Sequence, residues 1–143
     1  MKEQRSRDNY FYFKSINTRW SDNDIYGHVN NVTYYSYFDT VVNCYLIEEA
    51  GLDIHNAEAV GFVVASNCEY HVPISFPLPI EAAFRVNKLG SKSVEYGLAI
   101  FNDKESDASA SGTFTHVFVN RESGQSTAIP SEIRQALTLA LIE

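Results

Sequence analysis

The chain has no excess of positive charge: 18 Asp and Glu outnumber 11 Lys and Arg, for a net charge of −7. A field of that sign argues against nucleic acid as the principal partner, although a local group of lysines still suffices to hold an anionic phosphate. Cysteine is scarce. Cys44 and Cys68 stand without CxxC spacing or nearby histidines, so each is expected as a buried free thiol rather than half of a disulfide or a metal ligand. His55, His71 and His116 lack metal-ligand spacing as well, and no metal site is expected. No segment approaches the roughly 20 apolar residues that a membrane-spanning helix needs. The first nine residues are polar and charged with no apolar run behind them, unlike a secretory signal, so a cytoplasmic location is expected. Repeats, low-complexity tracts and linkers are absent, and the 143 residues are expected to form one domain over 1–143.

What the chain does have is apolar and aromatic content. Hydrophobic residues make up 45%, enough for a real core. Nine Phe and nine Tyr suit strands or a broad apolar face. Residues 10–18 read as a first strand. From Asn30 or Asn31 to about Ala50 the period changes: Tyr34, Phe38, Val41, Val42, Tyr45, Leu46 and Glu49 recur every three or four positions, a helical spacing. Either Asn can cap this helix and Gly51 can stop it. Its Thr, Val and Tyr are poor helix formers, so it is expected to be held by packing on nearly all sides. Four strands follow, over residues 60–72, 80–87, 94–100 and 109–119, the last with Phe114, His116 and Phe118 on one face. A short helix over 132–142, capped by Ser131, closes the chain. Strand, long helix, four strands, short helix predicts an α+β fold, an antiparallel sheet wrapped around a central helix.

The chemistry concentrates in Arg19-Trp20-Ser21-Asp22-Asn23-Asp24-Ile25-Tyr26-Gly27-His28-Val29-Asn30-Asn31, at the turn from strand to helix. The first turn of a helix offers free N–H groups and a positive dipole end. Aimed at a carbonyl oxygen, the N–H groups around residues 29–32 would act as an oxyanion hole. Asp24 either organises an Asx turn or reacts. If it reacts, it attacks a carbonyl directly or serves as base on water. Asp22 is expected to organise the turn or pair with Arg19.

The block Asp24-Ile25-Tyr26-Gly27-His28-Val29-Asn30-Asn31, followed by Val32-Thr33-Tyr34-Tyr35, resembles the hotdog-fold thioesterases of the 4-hydroxybenzoyl-CoA thioesterase type. The order of elements agrees over nearly the whole chain. So do Val64-Ala65-Ser66-Asn67-Cys68-Glu69-Tyr70, Pro73-Ile74 and Leu89-Gly90-Ser91-Lys92-Ser93. The resemblance implies hydrolysis of an acyl-CoA thioester with no metal or redox cofactor, coenzyme A being part of the substrate. It implies a homodimer or homotetramer with the site between two subunits. It places Asp24 at the catalytic acid position and His28 beside it. Val29, Asn30, Asn31 and Tyr34 would meet the substrate from the helix start, and Val64, Ser66 and Asn67 from the partner's strand. Lys88, Ser91, Lys92 and Ser93, around a Gly turn, would hold the nucleotide phosphates of coenzyme A. In the plant acyl-carrier-protein thioesterases an Asp, an Asn two residues on and a His four on belong to the site. Here Tyr26 stands where that Asn would be. Two rival functions remain, an acyl-carrier-protein thioesterase and a non-catalytic acyl-CoA binding module.

Overall fold

The structure is a computed structural model that describes residues 5–142. Its elements are β1 (Tyr12–Ile16), α1 (Thr33–Cys44), β2 (Ala59–Tyr70), β3 (Ile80–Leu89), β4 (Ser93–Asn102), β5 (Ala110–Asn120) and α2 (Ser131–Leu139). The five strands form one antiparallel sheet in the order β1-β3-β4-β5-β2. This is the hotdog arrangement, with α1 lying against one face of the sheet.

Alternation builds that face. Ile80, Ala82, Phe84 and Val86 of β3 point inward with Val94, Tyr96, Leu98 and Ile100 of β4 and Phe114, His116 and Phe118 of β5, all buried. The helix lays Tyr34, Tyr37, Phe38, Val41 and Val42 on them. Tyr45 then stacks on Phe84, with ring centroids 4.4 Å apart, and its hydroxyl donates to the Ala136 carbonyl of α2 at 2.5 Å. Each fully buried side chain of this size contributes about 1.5–3 kcal/mol relative to exposure, which outweighs the poor helix propensities.

Four expectations change in detail. The helical stretch has the anticipated length, but its last turn, Tyr45–Glu49, is a π-helix. Packing also holds it on one side only: Ser36, Asp39, Thr40 and residues 47–49 are exposed, because the chain covers a single face of the helix. Ser131 does not cap α2. It is the first helical residue, and Pro130 precedes it with no side-chain cap. Cys44 and Cys68 are both free, as expected, but each is only half-buried, since α1 and β2 leave them near an edge. No helix among the described residues is long and apolar enough to cross a membrane.

β2 is the edge that matters for the site. It pairs with β5 on one side, and among the described residues no strand lies along the other. A bulge at Val64 shifts its register between Val63 and Ala65. Phe62 and Val64 are 61% and 53% exposed, unusual for apolar strand residues of this size.

Candidate active site

The loop between β1 and α1 is folded by its own polar residues. Asp22 is 1% exposed, and its carboxylate accepts hydrogen bonds from the Arg19 backbone N–H (2.9 Å), the Arg19 guanidinium (2.9 and 3.1 Å) and the Tyr37 hydroxyl (2.8 Å). Burial pushes this carboxyl up. The hydrogen bonds from Arg19 and Tyr37 and the Arg19 charge outweigh burial and hold it below the usual carboxylate range. Asp22 is thus the anchor of the loop, in the supporting position expected for it.

Residues 23–29 fold back as a tight hairpin. Asn23 bridges Val29, the Asp24 N–H donates to the His28 carbonyl at 2.9 Å, and the Gly27 N–H donates to the Asp24 carbonyl at 3.1 Å. Asp24 Oδ1 accepts from the Tyr26 N–H at 2.9 Å, an Asx turn. Gly27 sits at φ +84°, in the left-handed region where a Cβ would be costly. The loop before β3 pins the hairpin from outside. The Ser75 hydroxyl donates to the Gly27 carbonyl (2.9 Å), the Phe76 N–H to Asn23 Oδ1 (3.1 Å) and the Val29 N–H to the Ile74 carbonyl (2.8 Å).

At the helix entry nearly every backbone donor is taken. The Asn30 N–H donates to the Asp22 carbonyl (2.8 Å), and the Thr33 N–H to the Asn30 carbonyl (2.9 Å). The Val32 N–H donates to Asn30 Oδ1 (3.0 Å), so Asn30 caps the entry one turn ahead of the regular helix. The expected oxyanion donors at residues 29–32 therefore narrow to one. Among the described residues only the Asn31 N–H in that run has no partner.

Two grooves flank this main chain. One, about 650 Å³, is lined by Trp20, Asn23, Asp24, Ile25 and Gly27. The other, about 250 Å³, is lined by Val29, Asn31, Tyr34 and the run from Tyr70 through His71 and Val72 to Pro73. Asp24 is half-buried and takes part in no ion pair among the described residues, while the His28 ring is exposed without a hydrogen-bond partner there. Tyr34 is 3% exposed, at once a core residue and a groove wall. Burial pushes its hydroxyl up to about 12. Among the described residues no group of three or more His, Cys, Asp and Glu is placed to hold a metal ion.

The remaining expected residues lie elsewhere within one chain. Val64 is the bulge of β2, Ser66 lies opposite the inward Phe114, and Asn67 is on the outer sheet face, donating to the Thr113 hydroxyl at 2.6 Å. Lys88, Ser91, Lys92 and Ser93 occupy the β3–β4 hairpin, at the end of the sheet opposite Asp24. There the Gly90 and Ser91 carbonyls accept from Arg134 of α2. A cleft of about 530 Å³ between Gly51, Leu52, Asn120 and Pro130 lies at that same far end. Tyr70, Ile74 and Ser75 are the site-shaping residues that sequence reasoning missed. Tyr70 closes a motif already singled out, but nothing local marks its partner.

The antiparallel sheet over one long helix defines the hotdog class of fold, and the carboxylate hairpin at the helix start is its candidate site. Residues 18–137 match the model of the thioesterase-like superfamily, and the chain belongs to that family. Among solved structures it is similar to the PA5185 protein of Pseudomonas aeruginosa, with 53% identity, a TM-score of 0.94 and 96% of each chain covered. It is also similar to the PA2801 protein of the same species, at 26% identity and TM-score 0.82, covering 90% of this chain and 98% of that one. A gentisyl-coenzyme A thioesterase, BH1999, shares the fold at 21% identity and TM-score 0.78, with 88% and 99% covered.

Proposed function

We propose that this chain hydrolyses an acyl-CoA thioester to the free acid and coenzyme A. The observation that carries the reading is the Asn31 N–H. Among the described residues it is an unspent backbone donor at the start of α1, two residues past the strand-like bridge that holds the Asp24 hairpin. A thioester carbonyl oxygen accepting from it gains stabilisation as negative charge develops. Asp24 supplies the other half. Its carboxylate attacks the carbonyl carbon, the C–S bond breaks, coenzyme A leaves as thiolate and takes a proton from solvent, and water then hydrolyses the mixed anhydride. In the alternative route Asp24 takes a proton from water, which attacks in its place. His28 stands free to orient that water. Neither route requires a resident cofactor.

A second copy completes the site in this reading. The open edge of the 12-residue β2 is a template for another strand. Pairing β2 with β2 about a two-fold axis lays the Tyr70 end of one chain beside the Ala59 end of the other. The partner's β3–β4 hairpin, with its Lys88 and Lys92, then lies on the Asp24 side, where the phosphates of coenzyme A need cations. The partner's Val64 and Ser66 likewise approach the groove that Asn31 lines.

The test is release of free thiol from acyl-CoA by the purified protein and by Asp24→Asn. The Asn retains Oδ1 for the Tyr26 N–H, so the turn survives. Turnover is expected to fall at least about a hundredfold with the melting temperature unchanged. A variant as active as the parent removes Asp24 from the mechanism.

A further inference from the structure

The Asn31 peptide region is tied to the sheet by a single side chain from the other wall of its groove. The Tyr70 hydroxyl, at the end of β2, donates to the Asn31 carbonyl at 3.1 Å, across 39 residues of sequence. The other bond to that carbonyl, from the Tyr34 N–H, is long at 3.4 Å. The Tyr70 ring is itself held, edge-on to Tyr34 with centroids 5.0 Å apart and planes at 88°. Tyr34 is fixed in the core, so the phenol has one rigid neighbour to lean on.

We propose that Tyr70 is a positioning residue that orients Asn31, so that its N–H points into the groove where a thioester carbonyl would sit. This rests on the acyl-CoA reading above. Three of the constraints on this turn come from the loops: Ile74 on Val29, Asp22 on Asn30 and the Asn30 side chain on Val32. A fourth, the Thr33 N–H on the Asn30 carbonyl at 2.9 Å, holds the peptide unit that carries the Asn31 N–H. Tyr70 holds the next unit, formed by the Asn31 carbonyl and the Val32 N–H, from the side of the sheet. Asn31 is thereby gripped on both flanks, and the grip from Tyr70 ties it to β2. A donor fixed before the reaction costs no reorganisation when charge develops, whereas a peptide free to swing loses part of that advantage.

Tyr70 also lies on the strand whose outer edge is open, so the tether links Asn31 to whatever pairs with β2. A second copy seated there stiffens the end of β2 and, through the phenol, the helix entry.

The experiment compares Tyr70→Phe, which keeps the ring and removes the hydroxyl, with Tyr12→Phe. The latter deletes a similar hydroxyl contact, at 3.0 Å to Glu48, remote from the grooves. Steady-state kinetics on butyryl-CoA should show kcat down about tenfold for Tyr70→Phe, the size expected for loss of one preorganised contact. KM should rise no more than several-fold, less than kcat falls, and Tyr12→Phe should match the parent. Calorimetric titration supplies a second readout, one that a merely structural role would not move. Two probes are used: the dethia ketone analogue of butyryl-CoA, in which a methylene replaces the sulphur and the carbonyl remains, and S-butyl-coenzyme A, which has no carbonyl. The ketone should bind Tyr70→Phe several-fold more weakly than the parent, and the thioether equally well. Equal loss for both probes, or none for either, overturns the positioning role. If Asp24→Asn abolishes turnover while Tyr70→Phe behaves as the parent in both assays, only this inference fails. If the parent releases no thiol, the acyl-CoA reading fails, and the ketone-against-thioether comparison still judges Tyr70.

Discussion

The Tyr37 hydroxyl donates to the Asp22 carboxylate at 2.8 Å, both groups buried beneath the hairpin that presents Asp24. Helix and loop are thereby joined at the first inward turn of α1. The same carboxylate takes three bonds from Arg19, so its removal strands several donors at once. Asp22→Ala is expected to cost about 2–4 kcal/mol in urea unfolding. The folded-state carboxyl titrates below the unfolded value of about 3.9, so its stabilisation is complete above that pH and is lost as pH falls below it. Below about pH 4 the stability of Asp22→Asn should therefore depend on pH less steeply than that of the parent. Parallel slopes would show that this carboxylate is not the acid-sensitive anchor.

His116 gives a different pH window. Its ring is 3% exposed, with Nδ1 3.0 Å from the Tyr96 hydroxyl, and burial lowers it to about 4. The unfolded chain, with a His near 6.5, binds the proton more readily. Stability is then full above about pH 6.5 and declines as pH falls toward 4, by up to about 3 kcal/mol in all. Denaturant midpoints measured across that range should fall in the parent and stay nearly level in His116→Phe.

Gly61 faces this ring so closely that any Cβ there would collide with it. Gly61→Ala should therefore lose about 1–3 kcal/mol. The double variant Gly61→Ala, His116→Ala should lose less than the sum of the single changes. Additive losses, read from the same urea curves, would mean that the two sites do not touch in solution.

Lys88 and Lys92 are exposed on the hairpin. If they meet the phosphates of coenzyme A, Lys88→Ala with Lys92→Ala should raise KM for acyl-CoA roughly three- to tenfold at low salt and leave kcat near that of the parent. The rise should shrink as salt screens the charges. It should vanish for an acyl-pantetheine lacking the nucleotide. An equal rise for both substrates would point away from a phosphate contact.

Pairing through β2 predicts that Val64→Asp places like charges near one another across the two-fold. Sedimentation should then show a smaller species than the parent, with thioesterase activity falling alongside. A parent that sediments as a monomer, or a variant unchanged in mass and rate, would count against the shared site.

Much of the fold was legible because alternation and period report burial directly. Ile80 to Val86 and Val94 to Ile100 read as strands from their pattern alone, and the inward trio of Phe114, His116 and Phe118 was visible in the same way. The Arg19–Asp22 pair was legible too, being three residues apart. The π turn at Tyr45–Glu49 was not, since it is set by how Tyr45 reaches Phe84 and Ala136 rather than by local spacing. Ile74 and Tyr70 were invisible as partners of Val29 and Asn31 because those contacts exist only once distant segments are brought together. The distance of the Lys88–Lys92 hairpin from Asp24 also required the strand order, which no motif encodes.

That strand order also sets a timetable. β2 leaves the ribosome long before β5, its strand neighbour in the sheet, and the Asn31 turn waits on Tyr70 and Ile74. A nascent chain that stops short of residue 110 holds the whole Asp24 block yet has nothing to fasten β2. The groove between Asn31 and Tyr70 is thus among the last parts to form, and incomplete chains are born without it.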